Sequence, residues 1–276
     1  MKKAKRRGVP THTAGCMKTT HRVLDPDSPD QVSESLCALG VMTKAPRAGK
    51  VKTRLTPPLT PEEAAALNIC FLRDTAAAIS ASCYDQPARG IAVYTPVGAE
   101  DSYAEILPAS FALVPQRGET FGERLAFAME DLLRLGFESA CLIDSDSPTL
   151  PASAFSQAAN FLARAEDSVV IGPSDDGGYY LIGLKKLHSS LFENISWSTE
   201  HVLDQTIERA RQIGLKIHRL PTWYDIDDRA TLRRLCQELF GSNGNSDGDA
   251  SPAPATRAYL GALLEREGRN RIWPNE

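Results

Sequence analysis

No apolar run in this 276-residue chain approaches the roughly 20 residues needed to span a bilayer, so no membrane span is expected. The basic start, Met1 to Gly8, is not followed by an apolar stretch, and a secretory signal is not expected either. None of the six cysteines (16, 37, 70, 83, 141 and 236) forms a C-x-x-C pair, and Cys70 and Cys141 sit in apolar settings. Reduced, mostly buried thiols of a cytoplasmic protein follow, with neither a disulfide frame nor a zinc ribbon. The five histidines, His12, His21, His188, His201 and His218, show no metal-ligand spacing. Basic excess is also missing: 31 Lys and Arg stand against 35 Asp and Glu, which argues against general nucleic-acid binding. Neither G-x-x-x-x-G-K-[ST] nor G-x-G-x-x-G occurs, and their absence counts against a Walker-type NTPase and a dinucleotide oxidoreductase.

What remains is a composition with 42% hydrophobic residues, enough for a full core. Residues 1–35 have no periodicity and read as a disordered basic tail. Residues 36–240 read as one main domain. Its first strand is Leu36 to Met42, followed by a loop through residue 59. Thr60-Pro61-Glu62-Glu63 starts a helix with an N-cap, a proline at the first helical position and a capping-box Glu. Further strands are expected at 90–94, 111–114, 140–143, 168–171, 178–183 and 216–220, with helices at 120–136, 151–164, 200–211 and 228–239. The alternation implies βα units, hence an α/β fold with a mainly parallel sheet. Residues 241–256 read as a flexible linker, and 257–276 as a C-terminal helix and tail that dock on the body or on a partner.

Two segments carry chemistry. Ala140 to Ile143 is a short apolar strand that ends in Asp144-Ser145-Asp146-Ser147-Pro148. Ligands of open α/β sheets bind beyond the carboxyl ends of the strands, and two hard oxygen donors there suit Mg²⁺ or Mn²⁺. A polar strand-to-helix turn would use the same residue types. After the first strand, Lys44, Arg47, Lys50, Lys52 and Arg54 crowd one loop of an otherwise acidic protein, with Gly49 between them. Such repulsion makes sense if an anion resides there, and arginine suits phosphate oxygens; a solvated basic loop is the plain alternative.

The motifs Lys44-Ala45-Pro46-Arg47-Ala48-Gly49-Lys50-Val51-Lys52-Thr53-Arg54, Asp144-Ser145-Asp146-Ser147-Pro148, Asp175-Asp176-Gly177-Gly178-Tyr179 and Trp223-Tyr224-Asp225-Ile226-Asp227 resemble one family, in order, over about residues 36–240. That family is DUF2064, the radical SAM/selenodomain-associated glycosyltransferases of GT-A fold. It is similar in turn to 2-phospholactate guanylyltransferases and molybdenum-cofactor nucleotidyltransferases. The resemblance implies a Rossmann-type three-layer sandwich that binds a nucleotide over the first strands with a divalent metal. It implies phosphate contacts from Lys44, Lys52 and Arg54, with Pro46 and Gly49 shaping the loop. It implies a nucleoside cradle at Gln116, Gly118 and Arg124. Asp144, Asp146, Asp225 and Asp227 would hold the metal, although Ser145 stands where the family has Gly, and Asp227 or Asp228 would equally serve as a helix cap. Asp175 or Asp176 would take the acceptor's proton, or simply belong to a tight glycine turn.

The expected function is glycosyl transfer from a nucleotide-sugar to a small acceptor, assisted by Mg²⁺ or Mn²⁺. The rivals are nucleotidyl transfer from an NTP to a phosphorylated acceptor and a nucleotide-binding module without turnover. Homo-oligomerisation stays open.

Overall fold

The computed structural model describes residues 20–28, 32, 35–84, 86–241 and 250–272. Seven strands form one sheet: β1 (Cys37–Lys44), β2 (Ala88–Thr95), β3 (Ala112–Pro115), β4 (Ser139–Ile143), β5 (Ser168–Pro173), β6 (Tyr179–Leu184) and β7 (Lys216–Arg219). Their order is β3-β2-β1-β4-β6-β5-β7. All pairs are parallel except those made by β6, which runs antiparallel to β4 and β5. The mainly parallel α/β fold expected from the sequence is therefore present.

The helices are α1 (Pro61–Ser82), α2 (Phe121–Arg134), α3 (Ala152–Leu162), α4 (Val202–Gln212), α5 (Arg229–Phe240), α6 (Pro254–Glu267) and the short α7 (Arg269–Ile272). Strand alternation sorts the core into two layers. Leu39 and Val41 of β1 face the cluster with Leu72 and Ile79 of α1 and Phe155 of α3. Ala38 faces the opposite cluster, with Met129 and Leu132 of α2 and Ala210 of α4. The capping box read from the sequence, Thr60 with Glu63, forms as expected, and a second joins Thr120 to Glu123. Each satisfies helix-end N–H groups that would otherwise lack partners.

A third cluster joins α1, α5 and α6 through Phe71, Ile226, Leu235 and Leu260. The C-terminal helix thus docks on the body. Its start is fixed by buried Asp74, whose carboxylate accepts from the N–H groups of Ala255 at 2.9 Å and Thr256 at 2.8 Å. Residues 250–256 of the expected linker belong to this packed segment, while 242–249 lie outside the described residues.

The unstructured tail expected for 1–35 needs correction at residues 20–28; residues 1–19, 29–31, 33 and 34 lie outside the described residues. Val23 pairs with Leu113 at the edge of β3, Leu24 donates to the Leu113 carbonyl at 2.8 Å, and Leu24 is fully buried. A single buried leucine among polar residues leaves no periodicity to read, yet it covers a sheet edge that would otherwise stay open. Among the described residues no helix is long and apolar enough to cross a membrane.

Candidate active site

The carboxyl ends of β1 and β4, the turn between β5 and β6, and the segment before α5 meet at one end of the sheet. Backbone bonds tie them together. Ile226 N–H donates to the Asp146 carbonyl at 3.0 Å, Asp175 N–H to the Trp223 carbonyl at 3.0 Å, and Asp144 N–H to the Tyr180 carbonyl at 2.9 Å. The Ser147 hydroxyl shares its one proton between the Tyr224 carbonyl at 2.9 Å and the Asp144 carboxylate at 3.1 Å. The acidic loops after β4 and before α5 are thereby built as one unit.

They enclose a cleft of about 490 Å³ lined by Asp144, Asp146, Asp176, Glu200, Asp225 and Asp227. Arg54, Tyr180, Phe121 and Trp197 also line it. A second hollow of about 240 Å³ adjoins it, lined by Lys44, Lys50, Lys52 and Arg54. The two share Arg54, Ser145, Asp146 and Asp227. The basic loop and the Asp-x-Asp turn, 90 residues apart in sequence, therefore form two halves of one site.

Lys52 sits on the boundary. Its backbone is left-handed, with φ 49°, a conformation that costs a non-glycine residue about 1–2 kcal/mol. Its ammonium points inward, 2.9 Å from Asp146 and 3.1 Å from Asp227, and donates to the Ile226 carbonyl at 2.6 Å. Burial opposes the charged form, but Asp146 and Asp227 outweigh it and hold the ammonium above the ordinary lysine range. An ammonium has three donors, and all three are taken. Lys52 clamps the site, leaving Lys44, Lys50 and exposed Arg54 facing the basic hollow.

The other two aspartates lack such a partner. Burial pushes the Asp144 carboxyl well above the usual carboxylate range, with the charges of Asp146 and Asp225 adding to it. Asp225 is pushed up to about 6, first by burial and then by the charges of Asp176 and Asp227. Among the described residues, no three His, Cys, Asp or Glu side chains are already gathered as a metal cage. Even so, two partly buried carboxylates that repel each other suit a divalent cation, because its charge would relieve the repulsion that now favours protonation.

The remaining sequence candidates separate in space. Asp228, not Asp227, caps α5, its carboxylate accepting from the Thr231 N–H at 2.9 Å; this leaves Asp227 in the site. Asp175 pairs with Arg234, whose guanidinium stacks 3.7 Å above the Tyr224 ring. Asp176 lines the cleft and accepts from the Gly178 N–H at 2.8 Å. Gln116 donates to the Thr43 and Val93 carbonyls and so ties the ends of β1 and β2. Arg124 donates to the Gly118 and Glu119 carbonyls at 3.3 Å. Gly118, with φ 104°, allows a turn in which a Cβ would lie 3.0 Å from the Glu123 side chain. Gln116, Gly118 and Arg124 thus shape the approach to α2, outside both hollows. Pro46 and Gly49 lie in the basic loop but line neither hollow.

On the far wall the sequence offers Trp197 as a packing residue, with an aromatic beside an acceptor as the alternative, and gives no sign of Glu200. Phe121 is 53% exposed and packs edge-on against Trp197 at 5.2 Å between centroids. Glu200 follows three residues later, on a segment whose only sequence cue is an aromatic among polar residues.

Residues 79–199 match the family model DUF2064, described as an uncharacterized protein conserved in bacteria. That span holds Asp144, Asp146, Asp175 and Asp176, whereas the basic loop and Asp225 to Asp227 flank it. No curated protein matches the chain. Among solved structures, a candidate nucleotide-diphospho-sugar transferase from Desulfovibrio desulfuricans G20 is 29% identical, with 84% of this chain and 97% of that one covered and a TM-score of 0.70. A cytidylyltransferase from Leptospira borgpetersenii is 11% identical over 87% of this chain and 98% of that one, with a TM-score of 0.46. The inositol-1-phosphate CTP transferase from T. maritima is 15% identical over 80% and 95%, with a TM-score of 0.45. The family read from the motifs is the one whose model matches: this chain carries the DUF2064 region on the fold of the nucleotide-diphospho-sugar transferases.

Proposed function

We propose that this protein transfers a glycosyl group from a nucleotide-diphospho-sugar to a small acceptor, with Mg²⁺ or Mn²⁺ at the diphosphate. The observation that carries the reading is the division of one site into a basic hollow and an acidic cleft with a shared wall. The likeness to the Desulfovibrio protein supports the same donor class. Lys44, Lys50 and Arg54 would bind the diphosphate, and Asp144 with Asp225 would hold the metal, while Lys52 keeps Asp146 and Asp227 in place. The bound cation would offset charge that develops on the leaving diphosphate, worth several kcal/mol of transition-state stabilisation.

In the transfer the sugar C1–O bond to the diphosphate breaks, and its electron pair leaves with the diphosphate. An acceptor oxygen forms the new bond to C1. Its proton passes to Asp176, which lines the cleft, whereas Asp175 is engaged by Arg234. Nucleotidyl transfer is the second reading, favoured by the density of cations around the basic hollow, since a triphosphate carries more charge to offset.

A thermal-shift panel of UTP, GTP, CTP, ATP, UDP-sugars and GDP-sugars, each with Mn²⁺, Mg²⁺ or EDTA, tests this, because a ligand that binds the folded state raises its apparent stability. A metal-dependent shift with one nucleotide-sugar is expected. A larger shift with an NTP would favour nucleotidyl transfer, and no metal-dependent shift with any of them would overturn the proposed site.

A further inference from the structure

The acidic cleft has a composition that bears on the second substrate. Among the described residues that line it, Arg54 is the only cation, and it stands at the basic end beside Asp227 at 3.4 Å. The same cleft holds Asp176 and Glu200 with the aromatic pair Phe121 and Trp197.

Glycines fix that arrangement. A Cβ on Gly177 would lie 2.2 Å from the Glu200 carbonyl oxygen, so this close approach of two backbones is open only to glycine. Leu203 N–H donates to the Gly177 carbonyl at 2.9 Å and holds the contact. A Cβ on Gly122 would lie 2.6 Å from the Trp197 ring nitrogen, so Trp197 can approach the first turn of α2 closely only because glycine stands there. These contacts fix the backbone at Gly177 and Glu200 and the seat of Trp197, and the Asp176 carboxylate is held by the Gly178 N–H at 2.8 Å.

A phosphorylated molecule bound against Asp176 and Glu200 would bring about −1.5 to −2 charges to carboxylates, while Arg54 and the cation proposed for Asp144 and Asp225 would already be taken up by the donor diphosphate. The positive end of α4 offers little compensation, because Glu200 precedes it and Asp204 occupies its first turn. Carboxylates accept hydrogen bonds from hydroxyls, and aromatic faces pack against apolar C–H surfaces.

Resting on the donor reading above, we infer that the acceptor is an uncharged, hydroxylated molecule with an apolar face, seated between the Phe121–Trp197 pair and the Asp176–Glu200 carboxylates, and that phosphorylated acceptors are rejected. Nucleotidyl transfer to an acceptor phosphate is disfavoured by the same wall.

The test uses the full chain with Mg²⁺ and matched probes: methyl α-D-glucoside and methyl α-D-mannoside against their own 6-phosphates. Tryptophan fluorescence is followed, and the Trp197→Phe variant separates the signal of Trp197 from the others. The neutral glycosides are expected to change the Trp197 signal, with the phosphorylated twins at least about tenfold weaker. Glu200→Lys is expected to narrow that gap by strengthening the phosphorylated twins. Equal or tighter binding of the phosphorylated twins, or no response to either class, overturns the inference. The metal-dependent nucleotide shift is measured on the same samples: its absence sinks the donor reading alone, and its presence beside a preferred phosphorylated probe sinks the acceptor inference alone.

Discussion

Of the five aspartates that line the cleft, four form two pairs with different surroundings. Asp146 and Asp227 share a buried ammonium, Lys52, which also holds the Ile226 carbonyl. Asp144 and Asp225 share no cation, and burial together with neighbouring carboxylates raises the proton affinity of both. The same residue type, in the same two loops, thus supplies a permanent clamp and an unbalanced negative site. The clamp holds the unbalanced pair in register, because Lys52 joins the loop after β1 to the turn after β4 and to the segment before α5. The pairs should respond oppositely to substitution: loss of the clamp harms the fold, and loss of the unbalanced pair harms the chemistry.

The largest expected effect lies on the unbalanced pair. Asp144→Asn or Asp225→Asn should lower transfer at least about a hundredfold, the scale of removing one preorganised electrostatic contact. The metal-dependent nucleotide shift should vanish with it. Stability should hold or rise, because the amide keeps the shape and removes a repelling charge. Steady-state rates with the donor identified by the panel, alongside urea unfolding, check both halves. Full activity in both variants would end the metal assignment.

Lys52→Met should do the reverse and cost about 2–3 kcal/mol of stability. A fully buried ion pair broken on one side costs roughly 3–5 kcal/mol, but Asp146 and Asp227 keep 30% and 47% of their side-chain exposure. Adding Asp227→Asn to Lys52→Met should recover part of the loss, since one stranded charge disappears. Additive losses in urea melts would show that Lys52 acts through packing alone.

Asp228 sharpens the contrast by one residue. Asp228→Ala removes the cap of α5 and should cost about 1 kcal/mol, while the nucleotide shift stays intact. A lost nucleotide shift would mean that the two neighbours had been assigned to each other's tasks.

Much of this was legible in the sequence, for physical reasons that differ by residue. The strand ending at Ile143 and the capping box at Thr60 are local patterns, fixed by burial and by helix-end N–H groups within a few residues. The Asp-x-Asp turn was readable because a strand end in this fold class faces the ligand. The division of labour among the aspartates was not, since it depends on where Lys52 points, and a lysine in a basic loop reads as one more phosphate contact. The antiparallel run of β6 was equally hidden, because direction within a sheet is a tertiary fact. Leu24 and Trp197 each act alone, in segments with no period to betray them. Sequence points to this end of the sheet; packing decides what each charge there faces.

The smallest expected effect tests the basic half by itself. Arg54 is 73% exposed at its side chain and touches Asp227 only at 3.4 Å. Its contribution to fold stability should be close to nothing, as for most exposed pairs. If the hollow binds a diphosphate, Arg54→Ala should weaken nucleotide affinity roughly twofold to fivefold at low salt. The difference should fade as ionic strength rises and the Debye length shrinks to about 8 Å or less. Titration of the nucleotide-sugar at two salt concentrations measures this directly. A salt-dependent loss would place the phosphates beside Arg54. Unchanged affinity at both concentrations would make the loop a solvated basic surface, and the donor would then have to lie wholly within the acidic cleft, where only a bound cation could balance its charge.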